Sequence, residues 1–231
     1  HLNAHGTSCA GIIAAANNSI GIRGIASNVK ILPINVCPMG EYAETEFLAE
    51  AILWASKKAD VLSCSWGGQG KTPMVLADAI LNALTNGRNG KGCVVVFAAG
   101  NDAPIVNGLA TPACEHGVIS VGAVHRDGTI WDYSQRGVGL SLVAPSGNIF
   151  LKGDIVTTDR MGSLGYDSGN YVYTFGGTSA ACPQVAGVAA LMLSVRPDLT
   201  TEEVKNALQN TATDLGTSGY DTTYGYGLVN A

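Results

Sequence analysis

The chain has 231 residues, of which 46% are hydrophobic and only 13% are charged. This length suits one large domain with a substantial core, and the composition excludes a disordered chain and a coiled coil. The net charge of -5 gives no basic surface for nucleic acid or an anionic membrane. The most apolar run, Ala180 to Val195, is shorter than the roughly 20 residues that cross a bilayer, so we expect no membrane span.

Runs rich in Val and Ile alternate with helical patterns, as expected for a parallel sheet covered by helices. Five strands are predicted: Val29 to Val36, Val61 to Trp66, Cys93 to Ala99, Val118 to Val124 and Leu140 to Ala144. Helices are predicted over Thr45 to Lys58, from Thr72 as N-cap to about Gly87, over Ser179 to Val195, and from a capping box of Thr200 and Glu203. Hairpins and loops are predicted from Gly147 to Thr174. The prediction is an α/β fold with a mainly parallel central β-sheet and helices on both faces, as one domain over residues 1–231.

The cysteines are scattered along the chain and include no CxxC pair: Cys9, Cys37, Cys64, Cys93, Cys114 and Cys182. Cys37, Cys64 and Cys93 lie in apolar stretches. This pattern indicates buried thiols rather than a disulfide framework or a zinc site.

A helix that is apolar nearly all round is predicted to begin at Ser179, directly after Gly176 and Gly177. The first turn of a helix presents unpaired backbone N–H groups and the positive end of the helix dipole, which would stabilise a serine alkoxide. Serine is also an ordinary N-cap residue. This motif alone therefore indicates either a cap or a nucleophile.

Two further segments carry a candidate base and a candidate amide donor. His5 stands just ahead of a predicted small-residue helix, where it could act as general base or be a structural histidine. Asn101 follows a buried strand, so its amide would project at the carboxyl edge of the sheet, where open α/β sheets bind ligands. It could stabilise a developing oxyanion there, although asparagine after glycine is also a common turn residue.

Taken together, three segments resemble the signatures of the subtilisin-like serine proteases, or subtilases: HGTSCAGIIAA around His5, VVVFAAGN ending at Asn101, and GGTSAACPQVAGVAALML around Ser179. Their order is also that of the family, and the resemblance covers almost the whole chain. It implies a serine endopeptidase in which Ser179 forms an acyl-enzyme, His5 transfers the proton and Asn101 completes an oxyanion hole.

The resemblance further implies that a polypeptide substrate binds as an added β-strand. The residues that would bind it are Ser65, Trp66, Gly67 and Gly68 on one side, Gly40, Glu41 and Tyr42 on the other, and Ala99, Gly100 and Ala110 at the first specificity pocket. These small residues favour a large uncharged side chain in that pocket. Asp102 or Glu115 nearby would instead favour a basic one.

Subtilases carry a third catalytic residue, an aspartate, on a strand some tens of residues before the histidine. Only four residues precede His5 and none is acidic, so we expect the chain to lack this aspartate and the first strands of the sheet. Neither Asp60 nor Asp102 is expected to replace the aspartate, and the chain alone should be strongly impaired. A catalytically inactive peptide-binding pseudoprotease is one alternative; a transpeptidase or macrocyclase, which passes the acyl group to an amine, is another.

Two cysteines fall close to the candidate residues in sequence. Cys9 lies one helical turn after His5, and Cys182 lies three residues after Ser179. A thiol nucleophile is therefore an alternative, but Ser179 holds the helix-start position. If Cys9 lies under the site, mercurials should inhibit although Cys9 is not catalytic.

The expected chemistry requires no cofactor, and no metal ligands are assigned. Many subtilases bind structural Ca²⁺ through loop oxygens, although residues 134–145 contain no acidic side chain. The expected partners are the polypeptide substrate and a propeptide or the missing N-terminal segment. The unpaired cysteines favour a reducing compartment such as the cytoplasm, whereas the family resemblance favours an extracellular or periplasmic location.

Overall fold

The computed structural model describes residues 2–37, 43–103, 105–148 and 154–231. Over these ranges the helices are α1 (Leu2–Ala14), α2 (Thr45–Ser56), α3 (Met74–Gly90), α4 (Thr178–Val195) and α5 (Thr201–Asn210). The strands are β1 (Val61–Cys64), β2 (Val94–Ala98), β3 (Ile119–Val124), β4 (Leu142–Pro145), β5 (Ile155–Thr158) and β6 (Tyr171–Phe175).

The central sheet consists of β1 to β4, which are parallel and follow one another in chain order. Every residue of β2 and β3 is buried, because helices cover both faces of the sheet. Val95 and Phe97 of β2 pack with α2 and α3, while Val94 and Val96 pack with α4 and α5 on the opposite face. The predicted α/β fold with helices on both faces is confirmed.

Helix α4 is the central helix of the molecule, because it contacts all four strands of the sheet and also α1. Among the described residues, it is the one helix that is long and apolar enough to cross a membrane. Most of its residues are buried inside the protein. Its apolar character therefore reflects its position in the core.

The prediction of a strand from Val29 to Val36 is wrong. Residues 29–36 contain no strand, and the side chains of Ile31, Leu32 and Ile34 are exposed by 42%, 40% and 37%. A parallel strand is held by hydrogen bonds to its neighbours, and no strand in the described part of the chain pairs with this segment. In the described part of the chain, this Val- and Ile-rich segment therefore has no neighbouring strand with which to form backbone hydrogen bonds.

The helix boundaries agree with the predictions to within a few residues. The N-cap of α3 is Pro73 rather than Thr72, and the backbone leaves helical geometry at Gly87, as predicted. The capping box of α5 is present, with the Thr200 side chain accepting from the Glu203 N–H. The capping and helix-ending residues of α3 and α5 therefore predict where these two helices begin and end.

The predicted hairpin region contains β5 and β6, which are antiparallel. The hydroxyl groups of Thr157 and Thr158 donate to the carbonyl oxygens of Ser8 and Thr7 at 2.7 and 2.8 Å. These bonds join the hairpin to α1, the helix that carries His5.

All six cysteines are unpaired in the structure. Cys64, Cys93 and Cys182 are buried, whereas Cys37 is only half-buried and Cys114 is exposed. Burial raises the pKa of the Cys93 thiol to about 12, so this thiol stays protonated at neutral pH.

Candidate active site

Ser179 is the second residue of α4, which begins after an N-cap at Gly177 with φ 72°. This left-handed backbone conformation favours glycine. The Ser179 hydroxyl donates to the Ser65 carbonyl oxygen at 3.5 Å, and the Ser65 hydroxyl donates to the Ser179 carbonyl oxygen at 3.1 Å. Ser179 thus lies at the positive end of an 18-residue helix, beside the segment that follows β1.

The side chain of Asn101 is held on the first residue of α4. Its Oδ1 accepts hydrogen bonds from the Thr178 N–H at 2.8 Å and from the Thr178 hydroxyl at 2.9 Å. The Gly100 N–H in turn donates to the Thr178 hydroxyl at 3.2 Å. Because these bonds fix the carbonyl end of the amide, its NH₂ end is the one that can donate to a ligand.

His5 lies within the first turns of α1, so the prediction that it stands just ahead of the helix is wrong. The helix begins upstream, at Leu2. The imidazole edge packs on Phe175 with the ring centroids 5.5 Å apart, and its Nδ1 is 3.8 Å from the Cys9 sulfur. Burial lowers the pKa of His5, which favours the neutral form that a general base requires.

Cys9 connects the two helices that carry His5 and Ser179. Its thiol donates to the Ser179 carbonyl oxygen at 3.6 Å and also contacts the His5 ring. Burial raises the pKa of the Cys9 thiol to about 12. Cys182 is fully buried, and its thiol donates to the Val96 carbonyl oxygen, so it points into the core.

Within the described ranges, His5 forms no hydrogen bond or ion pair with a carboxylate, and its side-chain partner is Cys9. Asp60 precedes β1, at the amino end of the sheet, and its carboxylate lies 3.4 Å from Arg88. Asp102 is exposed beside Asn101. The structure therefore gives neither aspartate a contact with the imidazole.

A cavity of about 170 Å³ opens beside Ser179. It is lined by Ser65, Trp66, Gly67, Gly68, Ala98, Gly100, Asn101, Asp102, Ala110, Thr178 and Ser179. The wall made by Gly68 is fixed by two backbone hydrogen bonds to Thr111, at 2.8 and 2.9 Å. Asp102 is the acidic residue of the lining; Glu115 is not part of it.

Two parts of the predicted substrate site differ from the structure or fall outside it. Ala99 does not line the cavity, because it is fully buried and packs with Val124, Leu140 and Val143. Both of its backbone polar groups are bonded, to Val121 and Ala110. Gly40, Glu41 and Tyr42 lie outside the described residues.

The structure adds residues that sequence reasoning missed. Ser146 donates from its hydroxyl to the Gly177 carbonyl oxygen at 2.6 Å. The Tyr133 hydroxyl donates to the Gly147 carbonyl oxygen at 2.9 Å, and the Gly177 N–H donates to the same oxygen at 3.2 Å. These bonds hold the turn from which α4 begins.

Calcium ions take six to eight oxygen ligands, in part from carboxylates. In the part of the chain that the structure describes, no group of three or more His, Cys, Asp or Glu side chains is arranged to hold a metal ion.

The sequence matches the profile of the Subtilase family over residues 1–227. The chain belongs to the subtilase family. This result agrees with the resemblance seen around His5, Asn101 and Ser179, and it covers nearly the full length of the chain.

Named relatives support the same assignment for this subtilase. The chain is 38% identical to a calcium-dependent protease of Trichormus variabilis, over 98% of the chain but only 39% of the relative. It is 36% identical to subtilisin DY of Bacillus licheniformis, over 99% of the chain and 76% of that protein. The chain therefore spans well under half the length of the first relative.

Solved structures of related enzymes have the same fold. A protease from Pseudoalteromonas arctica aligns with a TM-score of 0.84 and 35% identity, over 98% of this chain and 68% of its own. Fervidolysin from Fervidobacterium pennivorans, a keratinolytic enzyme related to subtilisin, aligns with a TM-score of 0.82 and 30% identity, over 98% of this chain and 35% of its own.

Proposed function

We propose that this subtilase chain carries the nucleophile, the general base and the oxyanion-hole side chain of a serine endopeptidase. The observation that carries the proposal is the hydrogen bonding of Asn101. Thr178 holds the carbonyl end of its amide, next to a serine at the positive end of α4. An amide donor and a helix N-terminus at one serine suit an acyl-transfer reaction, in which negative charge develops on the substrate carbonyl oxygen.

In this mechanism the Ser179 hydroxyl attacks the carbonyl carbon of the scissile peptide bond. His5 takes the hydroxyl proton and then protonates the leaving amine, so that the C–N bond breaks and an acyl-enzyme remains. Water then attacks the acyl-enzyme, with His5 as base, and releases the acid. Asn101 donates a hydrogen bond to the carbonyl oxygen while it is negative.

The substrate would bind in an extended conformation beside Ser65, Trp66 and Gly67. These residues line the cavity, and Gly68 is held in place on Thr111. Backbone pairing of this kind provides affinity with little sequence selection. Selection would come from the cavity, where Gly67, Ala98 and Ala110 leave room for a large uncharged side chain.

One observation favours a second candidate, a peptide-binding protein without catalysis. The described residues give His5 a thiol neighbour, Cys9, rather than a carboxylate that would orient its imidazole. Such a protein would bind peptides in the cavity and leave them intact.

Covalent labelling distinguishes the two candidates. A fluorophosphonate probe should label the full-length protein, and Ser179→Ala should abolish the labelling. Ser194→Ala is the matched control, because this serine lies near the other end of α4 and its hydroxyl donates only to the Leu191 carbonyl oxygen. Labelling that survives in Ser179→Ala would remove Ser179 as nucleophile. No labelling of either protein would favour the peptide-binding alternative.

A further inference from the structure

The peptide group that joins Gly177 to Thr178 is anchored at both ends. Its carbonyl oxygen accepts a hydrogen bond from the Ser146 hydroxyl at 2.6 Å, and its N–H donates to the Asn101 Oδ1 at 2.8 Å. This peptide bond is trans, so its C=O and N–H bonds point in opposite directions within one plane. Ser146 and Asn101 therefore lie on opposite sides of a single planar group.

Gly177 cannot hold this orientation by itself. Its φ of 72° is left-handed, but glycine populates negative φ values as readily, so the peptides on either side of it are free to reorient. Among the described residues, the other donor to its carbonyl oxygen is the Ala180 N–H at 3.0 Å, within the first turn of α4. Because that bond lies inside the helix, the Ser146 hydroxyl is the contact that ties this carbonyl to the rest of the protein.

Ser146 is itself fixed to the central sheet. It directly follows β4, and its N–H donates to the carbonyl oxygen of Val124, the last residue of β3, at 2.8 Å. Its carbonyl oxygen accepts from the Trp131 indole N–H at 3.0 Å. Ser146 is 7% exposed, so its hydroxyl is shielded from water. The hydroxyl thus connects the edge of a rigid sheet to the peptide at the start of α4.

The Asn101 amide rests directly on this peptide. A Cβ atom placed on Gly177 would lie 3.1 Å from the Asn101 Nδ2 and 3.3 Å from its Oδ1. The N–H and the hydroxyl of Thr178 both donate to the same Oδ1. Rotation of the peptide would move the bond that fixes Oδ1 and the surface against which the amide packs. The direction of the NH₂ group would then change.

We propose that Ser146 is a positioning residue for the oxyanion hole: its hydroxyl fixes the Gly177–Thr178 peptide and thereby aims the NH₂ group of Asn101. This inference rests on the proposed function, because it requires negative charge to develop beside Asn101. Ser146 does not line the cavity beside Ser179, so it acts through Asn101 and not on the substrate. An oxyanion donor is effective because it is oriented before the charge develops. Loss of the Ser146 hydroxyl should consequently affect the transition state more than the bound substrate.

Steady-state kinetics of Ser146→Ala in the full-length protein measure this effect. On a peptide p-nitroanilide we expect kcat to fall about tenfold, the rate equivalent of one hydrogen bond, with KM little changed. Ser56→Ala is the matched control, because Ser56 is 3% exposed and its hydroxyl also donates to a backbone carbonyl oxygen, that of Leu53 at 3.1 Å. It removes the same kind of bond at the end of α2 and should leave kcat unchanged. An unchanged kcat in Ser146→Ala, or an equal loss in both variants, would overturn the inference.

A double-mutant cycle shows whether Ser146 acts through Asn101. In an Asn101→Ala background the amide is already absent, so adding Ser146→Ala should cause little further loss of kcat. A destabilised protein would instead lose activity in both backgrounds. A further loss of about tenfold in the Asn101→Ala background would therefore overturn the positioning role.

A full-length protein that hydrolyses no substrate would contradict the proposed function, and the anchoring can then be tested without activity. Hydrogen exchange at the Thr178 amide, followed by NMR, should be faster in Ser146→Ala than in the unsubstituted protein, because the N–H would lose the orientation that its bond to Asn101 requires. Ser56→Ala should leave this exchange rate unchanged. Faster exchange confined to Ser146→Ala would support the anchoring, and an unchanged rate in Ser146→Ala would overturn it.

Discussion

The amide of Asn101 is the side chain whose loss should best separate catalysis from binding. Because Thr178 fixes its carbonyl end, its NH₂ group is available for the charge that develops in the transition state. Asn101→Ala should lower kcat by about 10² to 10³, the cost of losing this amide in subtilisin, and should change KM little. Steady-state kinetics on a peptide p-nitroanilide measure both constants.

Asn107 provides a control for this substitution, because it is exposed in the same loop and forms none of these contacts. Asn107→Ala should leave kcat unchanged. A raised KM with unchanged kcat in Asn101→Ala would assign Asn101 to substrate binding instead.

The position of Cys9 predicts inhibition by mercurials. Its sulfur is 3.8 Å from the His5 Nδ1 and 3.6 Å from the Ser179 carbonyl oxygen, so a bound mercury atom would displace the imidazole. The high pKa of this thiol, about 12, should make iodoacetamide slow, since alkylation requires the thiolate. A mercurial should therefore block fluorophosphonate labelling, and Cys9→Ala should restore it. Cys114→Ala, which removes the exposed thiol, should give no protection.

Burial of His5 predicts the acid limb of the pH profile. A general base must be neutral, and desolvation lowers the pKa of His5 below its ordinary value of 6.5. The acid limb of kcat/KM should therefore have its midpoint below 6.5. Because the unfolded state binds this proton more readily, falling pH in that range should also reduce stability. A midpoint above 6.5 would show that a carboxylate acts on the imidazole.

At the scale of elements, the first turn of helix α5 tests how much a capping box contributes to stability. The Thr200 side chain accepts from the Glu203 N–H, and the Glu203 carboxylate accepts from the Thr200 N–H at 2.8 Å. Thr200→Ala should cost about 1 kcal/mol of unfolding free energy. In a chain of this size that lowers Tm by about 2–4 °C, measurable by calorimetry. Thr222→Ala, at an exposed position outside the helices, should leave Tm unchanged.

Most elements of this fold could be predicted because their signals are local. The capping box at Thr200 indicates the start of α5, and the apolar sequence of α4 indicates a helix buried in the core. The structure shows both features. The Val and Ile pattern of residues 29–36 is no different in kind, but a strand also needs a neighbour. Whether a neighbouring strand is present depends on the whole sheet, and the residue pattern of one segment carries no information about it.

The residues of the candidate site also fall into two groups: those that a short motif indicates, and those that only the folded structure brings together. Ser179, His5 and Asn101 each stand in a short motif, so the sequence alone could offer them as candidates. Ser146 and Tyr133 could not be found in this way, because their bonds join positions 31 and 14 residues apart in the chain. The family resemblance places Ala99 at the specificity pocket, yet its side chain is fully buried and packs with Val124, Leu140 and Val143.

At the scale of the whole molecule, the sheet ends at β1, whose outer edge pairs with no strand in the described part of the chain. Unpaired edges and exposed apolar runs both promote association between chains. Residues 29–36 supply such a run, with Ile31 and Leu32 each exposed by 40% or more. These two features lead us to expect the 231-residue chain to associate with itself in solution.

Charge at the exposed run should suppress that association. The double variant Ile31→Lys and Leu32→Lys should weaken self-association severalfold, because lysine ammonium groups resist burial between copies. Size-exclusion chromatography with light scattering over a concentration series measures the effect. The control adds the same charge at Val138 and Val195, which are exposed by 85% and 77% outside this run. If both double variants reduce association equally, net charge rather than residues 29–36 controls it.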